Sequence, residues 1–195
     1  MDGLTAAARA ALGTGIRAWR RLHGGDLSDV FLLTLDDGRR IVAKQGPMVP
    51  REARMLSAIR ATGANAPRVL AEHGTTVFLE HLSDTSATSK AWRDLGRSLR
   101  RLHDAVVPGY GWAEDYALGP VDIRNSAEPD WPAFWAENRL LDGLADLPAD
   151  IARRLEALAV RLPEILPKAP PAGLLHGDLW SGNLIFTEDA RAFLI

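Results

Sequence analysis

Two apolar runs, Val30-Phe31-Leu32-Leu33-Thr34-Leu35 and Arg40-Ile41-Val42-Ala43-Lys44, are separated by Asp36-Asp37-Gly38. Asp-Gly between such runs is a strong hairpin signal, because glycine accepts the left-handed backbone of a tight reversal. The two runs are therefore predicted to pair antiparallel. Ile16 to Leu22 sets Ile16, Ala18, Arg20 and Leu22 against Arg17, Trp19 and Arg21, a period of two that reads as a strand. Gly24-Gly25-Asp26 breaks it, which makes a three-strand meander. Val69-Leu70-Ala71 and Thr76-Val77-Phe78-Leu79, joined at Gly74-Thr75, extend the predicted sheet to five strands. Helices are expected at alanine-rich Leu4 to Leu12 and at Arg51 to Ala61, where Pro50 suits a first helical turn.

The pattern changes between Glu80 and Ser86. From there the chain reads as helical until shortly before its end. Trp92, Leu95, Leu99 and Leu102 form an amphipathic stripe over Ser89 to Ala105, expected to be core. Val107 to Pro129 is a long connection holding Tyr110, Trp112, Asp115 and Asn125, and connections of that length are often functional. Asp130 is placed to cap a helix opening Trp131-Pro132, with Phe134, Trp135, Leu140 and Leu141 as an aromatic core. Ile151, Leu155, Leu158 and Leu162 mark another helix, stopped by Pro167 to Pro171. The expected division is a β-rich lobe over residues 1–82 and a helical lobe over 83–195, an α+β fold.

Hydrophobic residues make up 47% of the 195, ample for a core, and the net charge of −2 offers no electrostatic case for nucleic acid or an anionic membrane. With no cysteine there is no disulfide framework and no thiolate metal site. No apolar run is long enough to span a bilayer, and the first residues lack the pattern of a secretory leader, so a cytoplasmic protein is expected.

The chemistry concentrates in Leu174-Leu175-His176-Gly177-Asp178-Leu179-Trp180-Ser181-Gly182-Asn183-Leu184-Ile185-Phe186. Apolar residues flank a polar, glycine-broken middle. The order His176-x-Asp178, then Asn183, matches the phosphotransferase catalytic loop H-x-D-x-x-x-x-N. A carboxylate there takes the proton of an attacking hydroxyl, and an amide oxygen further on holds a metal ion against the phosphates. Gly177 and Gly182 are expected to supply the backbone turns. The plainer alternative is a polar loop between two buried strands.

Upstream residues fit the same chemistry. Ile41-Val42-Ala43-Lys44 is similar to the V-A-I-K strand, whose lysine neutralises nucleotide phosphates, although strand-end lysines are common. Glu52 shares a helical stripe with Met55, Leu56 and Ile59, and a carboxylate on a buried face needs a cation; Lys44 is the nearest candidate. Gly24-Gly25 is a candidate phosphate-covering turn, with Ser28 adding a hydroxyl, though it lacks the full G-x-G-x-x-G spacing. Backbone groups of Glu80 and Leu82, where the last strand opens into a polar link, are candidates to bond adenine.

His176-Gly177-Asp178-Leu179-Trp180-Ser181-Gly182-Asn183 resembles the signature of the fructosamine kinase (ketosamine or protein-ribulosamine 3-kinase) family. That family lies within the aminoglycoside phosphotransferase and choline kinase group. The wider group shares only H-G-D and the asparagine; Trp180-Ser181-Gly182 points to the narrower family. Gly24-Gly25, Val42 to Lys44, Glu52, Leu79 to Leu82, Tyr110-Gly111-Trp112 and Asp130 through Leu140 also look familial, so the resemblance covers nearly the whole chain.

It implies a two-lobed, protein-kinase-like fold, use of ATP and Mg²⁺, and phosphorylation of a sugar hydroxyl on a small-molecule or protein-bound ketosamine. It implies Asp178 as base, Asn183 as metal ligand, Lys44 held by Glu52 as phosphate contact, and Trp180 and Asn125 on the substrate side. Two departures stand out. Asp115 to Asn125 has Asp122-Ile123 where a proline-glutamine pair is expected. The family's second metal-binding aspartate is expected just after the strand Arg191 to Ile195, at which the sequence stops, so the helical lobe reads as incomplete and turnover as impaired. A kinase for an aminoglycoside or an amino alcohol, and a catalytically silent nucleotide-binding module, are the competing readings.

Overall fold

The computed structural model describes residues 1–22, 28–107, 109–118 and 121–195. The Gly24-Gly25 turn and Gly119 lie outside the described residues. The chain forms two compact units: Met1–Ala105 together with Leu175–Ile195, and Val106–Leu174. The sheet and the His176–Asn183 loop fall in the same unit, as does the pattern change at Glu80 to Ser86.

In the first unit, β1 (Ile16–Arg21), β2 (Asp29–Leu35), β3 (Arg40–Gln45), β4 (Val69–His73) and β5 (Thr76–Glu80) build a sheet of order β1-β2-β3-β5-β4. Every neighbouring pair is antiparallel. The β2–β3 reversal is a three-residue loop. Gly38 sits at φ 86°, its N–H reaches the Leu35 carbonyl at 3.0 Å, and the Leu35 N–H reaches the Arg39 carbonyl at 2.9 Å.

Strand alternation gives this sheet two buried faces. Ile41, Ala43, Leu33, Leu35 and Phe78 pack under Leu4, Ala7 and Ala8 of helix α1 (Asp2–Leu12). The opposite face sets Val77 and Leu79 against Val49 and Ala53 of helix α2 (Val49–Ala61). Pro50 lies in the first turn of α2, where a missing N–H costs nothing.

Helix α3 (Ser89–Asp104) starts at Thr88, whose hydroxyl accepts the Ala91 N–H at 3.1 Å. Its buried line is Ala91, Leu95, Ser98 and Leu102. Trp92, expected in the core, is 51% exposed and lies against Phe186 with ring centroids 4.9 Å apart. Leu95 and Leu102 face inward as expected, but Ala91 and Ser98 take the places expected of Trp92 and Leu99, and the Ser98 hydroxyl accepts the Asn65 N–H at 2.8 Å.

The expected closing strands are present as β8 (Leu184–Phe186) and β9 (Ala192–Leu194), paired antiparallel. A buried asparagine ties β9 to the rest of the unit. Asn65, 8% exposed in the link between α2 and β4, donates from Nδ2 to Asp94 at 2.8 Å and to the Ala192 carbonyl at 3.0 Å. Its Oδ1 accepts from Arg191 at 2.9 Å, and its carbonyl accepts the Leu194 N–H at 2.9 Å.

The second unit departs from the all-helical expectation. The long connection contains a hairpin, β6 (Tyr116–Leu118) and β7 (Val121–Ile123). Asp130 caps helix α4 (Trp131–Trp135) as expected, accepting the Ala133 N–H at 3.0 Å. A π-helical turn over Ala136–Leu140 follows. Trp131 stacks on Phe134 at 5.6 Å and meets Tyr110 at 4.7 Å, forming the aromatic core, while Trp135 stays partly exposed. Helix α5 (Ala149–Ile165) buries Ala159 and Leu162 but leaves Ile151 and Leu158 at the surface.

Candidate active site

Lys44 and Glu52 form the expected ion pair, from the third strand to the first turn of α2. Lys44 pairs across the sheet with Val77, so its side chain rises on the α2 face. The two side chains are 29% and 20% exposed, so the pair is partly shielded from water. An ion pair in such a place holds the ammonium in one position more firmly than a surface pair would.

The loop from His176 to Asn183 is built from its own backbone. Gly177 takes φ 89°, the left-handed conformation expected of it. Gly182 does not; its requirement is space. A Cβ there would collide with the Trp180 indole, which covers it. Ser181–Asn183 forms a 3₁₀ turn, closed by the Asn183 N–H on the Trp180 carbonyl at 3.0 Å. That turn brings the Asn183 amide nitrogen back to Asp178, at 2.8 Å from its carbonyl and 2.9 Å from its Oδ2. The amide nitrogen orients the carboxylate.

His176 supports the loop from behind. Its Nε2 donates to the Ile195 carbonyl at 3.1 Å, and the Ile195 N–H reaches the Asn183 carbonyl at 3.1 Å. Burial pushes the imidazole below its usual titration range, opposed by the bond to Ile195. Facing a carbonyl oxygen, Nε2 carries the proton of that bond. Asp178 and Trp180 are exposed, Trp180 by 60%.

The donor chemistry suits magnesium. Mg²⁺ takes oxygen ligands and is commonly held by one or two side-chain oxygens together with substrate phosphates and water. Asp178 and Asn183 present a carboxylate and an amide oxygen from one rigid turn. Among the described residues no group of three or more His, Cys, Asp or Glu converges on one point.

The other expected site residues are placed as follows. Ser28 is a half-buried residue immediately before β2. Glu80 and Leu82 border the end of β5. The Glu80 carboxylate is held by the Arg68 N–H at 2.8 Å and Nε at 2.9 Å, so its side chain is engaged away from Lys44. Asn125, in the second unit, is buried. Its Nδ2 donates to the Glu114 carbonyl at 3.1 Å, and its Oδ1 accepts from Arg139 at 2.9 Å. Sequence reasoning missed Asn65. The signal available was Ala64-Asn65-Ala66-Pro67, a linker of small residues fit for burial.

A five-stranded antiparallel sheet whose lysine is held by a helix glutamate, with an H-x-D-x-x-x-x-N loop in the same unit, defines the protein-kinase-like phosphotransferase fold. A macrolide 2'-phosphotransferase shares that fold at a TM-score of 0.56 and 18% identity, over 98% of this chain and 68% of that one.

The chain belongs to the fructosamine kinase family, whose family model, Fructosamine kinase, matches residues 4–195. A Thermus thermophilus protein named Probable ketoamine kinase is 34% identical over 183 residues, covering 89% of this chain. The chain spans 64% of that relative's length. A crystal structure from Thermobifida fusca, described provisionally as a fructosamine-3-kinase, superposes with a TM-score of 0.86 at 25% identity, over all of this chain and 73% of that one. Among the described residues no helix is long and apolar enough to cross a membrane.

Proposed function

We propose that this chain carries the nucleotide-handling and proton-accepting parts of an ATP-dependent kinase that phosphorylates a sugar hydroxyl of a ketosamine, in the cytoplasm. The observation that supports the reading is the Asn183–Asp178 contact, which holds the two motif side chains together in one turn. The Lys44–Glu52 pair supports it.

In this reading the substrate hydroxyl oxygen attacks the γ-phosphorus of ATP and its proton passes to Asp178. The new O–P bond forms as the bond to the β-phosphate oxygen breaks, and ADP leaves. Lys44, kept in position by Glu52, neutralises phosphate charge. Backbone groups of Glu80 and Leu82 receive adenine, and Ser28 offers a hydroxyl to the phosphates. Trp180 offers a flat apolar face to the sugar. Magnesium held by Asn183 and the phosphates would spread the charge of the transferring group. Because that transition state is loose, positioning and charge neutralisation do most of the work.

The test is phosphate transfer from Mg·ATP to a fructose–lysine adduct, beside an aminoglycoside and choline. Transfer confined to the adduct is expected. Equal transfer to the aminoglycoside or choline would replace the ketosamine reading, and nucleotide binding without transfer to any acceptor would replace the kinase reading.

Two substitutions separate the parts. Lys44→Ala is expected to weaken ATP binding about ten- to hundredfold, the worth of one charge-assisted bond of about 1.5–3 kcal/mol. Isothermal titration reads it directly, and unaltered affinity would reduce Lys44 to a strand-end charge. Gly182→Ala is expected to push the Trp180 indole from its seat. The ketosamine KM should rise about three- to tenfold, as for loss of one aromatic contact, with the ATP KM unchanged. An equal change in both would remove Trp180 from the sugar side.

A further inference from the structure

A cavity of about 490 Å³ lies beside the end of β5, among Arg60, Arg68, Glu80, Arg191 and the β8–β9 turn. Glu80 pairs across the sheet with Ile41, whose side chain packs under α1, whereas Lys44 pairs with Val77 under α2. The Glu80 carboxylate therefore lies on the face opposite the Lys44–Glu52 pair, while Arg60 comes from the last turn of α2 and the cavity also borders His81 and Leu82 of the link after β5.

The inner wall sets two guanidiniums, Arg68 and Arg60, against the Glu80 carboxylate, and Arg191 lines the same cavity. Arg68 spends its backbone N–H and Nε on Glu80, which leaves its two terminal nitrogens as donors. Arg60 gives one terminal nitrogen to the Ala66 carbonyl at 2.6 Å and stands 3.8 Å from Glu80. Arg191 is fixed from two sides, by Asn65 and by the Phe193 ring 4.6 Å beneath its guanidinium. Positive charge is thus in excess at the inner wall, and it is held in place before any ligand arrives. The β8–β9 turn supplies the opposite sign with Glu188 and Asp189. Stability gives little reason for such a cluster, because exposed ion pairs contribute at most about 1 kcal/mol.

We propose that this cavity is a second ligand site, taking a small phosphomonoester that also carries an ammonium group. The phosphate would take the fork-shaped donors of the arginines, the arrangement guanidinium groups suit best. The ammonium would face Glu188 and Asp189. A bare phosphate would leave most of the cavity unfilled and the acidic turn unanswered. The site adjoins the Glu80–Leu82 segment proposed above to receive adenine, and a phosphorylated ketosamine is one member of the ligand class.

The test is calorimetric titration with O-phosphoethanolamine, inorganic phosphate and ethanolamine, in the absence of nucleotide. Saturable binding of O-phosphoethanolamine is expected, tighter than either fragment. Arg68→Gln, at a side chain 61% exposed, should weaken it at least tenfold. Glu188→Gln, in the exposed turn, should weaken O-phosphoethanolamine severalfold and leave inorganic phosphate unchanged. Lys44→Ala should leave all three unchanged, and failure of the kinase reading would leave these results intact. The proposal is overturned by absence of saturable binding. It is equally overturned by loss of binding in Lys44→Ala rather than Arg68→Gln, or by indifference to Glu188→Gln.

Discussion

Asp178→Asn should lower phosphate transfer by about 10²- to 10⁴-fold, the usual worth of a positioned general base, while nucleotide affinity stays within a factor of two or so of the parent. The substitution tests the chemistry with little structural disturbance. Asp178 is exposed, and Asn183 reaches it from Nδ2 at both the backbone carbonyl and Oδ2. An asparagine keeps the carbonyl and one side-chain oxygen, so the 3₁₀ turn keeps its bonds. What it removes is the proposed proton acceptor and a negative charge beside Asn183. The measurement is initial rate against fructose–lysine adduct, with ATP affinity by titration on the same sample. A rate that falls while KM for ATP holds separates the base from the binding machinery. An unchanged rate would take Asp178 out of the base role, and a lost ATP affinity would make it chiefly a metal ligand.

What the sequence revealed depended on how local each signal was. Gly38 was legible because the chemistry of a hairpin turn lies in the turn itself. The Lys44–Glu52 pair was legible from two short-range periods, a strand face and a helix face, plus the cost of leaving a carboxylate unpaired. The Asp130 cap needed only its own next three residues. Trp92 was misplaced because periodicity weighs large apolar residues heavily, whereas the inward line of α3 was set by a serine with a distant partner. The β6–β7 hairpin escaped because three-residue strands carry almost no periodic signal. Gly182 was read as a turn-maker, but its need for space depends on where the Trp180 ring settles, which no local rule gives.

Asn65 is the strongest case of a long-range role, and Asn65→Ala is expected to destabilise the first unit by about 3–4 kcal/mol. Three side-chain bonds disappear, to Asp94, to the Ala192 carbonyl and from Arg191. Each is worth about 0.5–1.5 kcal/mol, more where a charge takes part, and the partners left behind are shielded from water. For a chain of this size that corresponds to a fall in Tm of roughly 10 °C, readable by calorimetry. Asn65→Asp should do no better, because it sets a carboxylate against Asp94. The double variant Asn65→Ala with Asp94→Ala should cost less than the sum of its parts, since the two share a bond. A sum that is simply additive would mean the contact holds nothing. The consequence for the site follows from the order of connections. Asn65 fixes Ala192 and Leu194, Ile195 follows them, and Ile195 is bonded to both His176 and Asn183. Loosening β9 therefore reaches the Asn183–Asp178 contact without touching either residue. Hydrogen exchange in Asn65→Ala should rise over residues 184–195 before it rises in β2 and β3, whose core under α1 contains no part of this network.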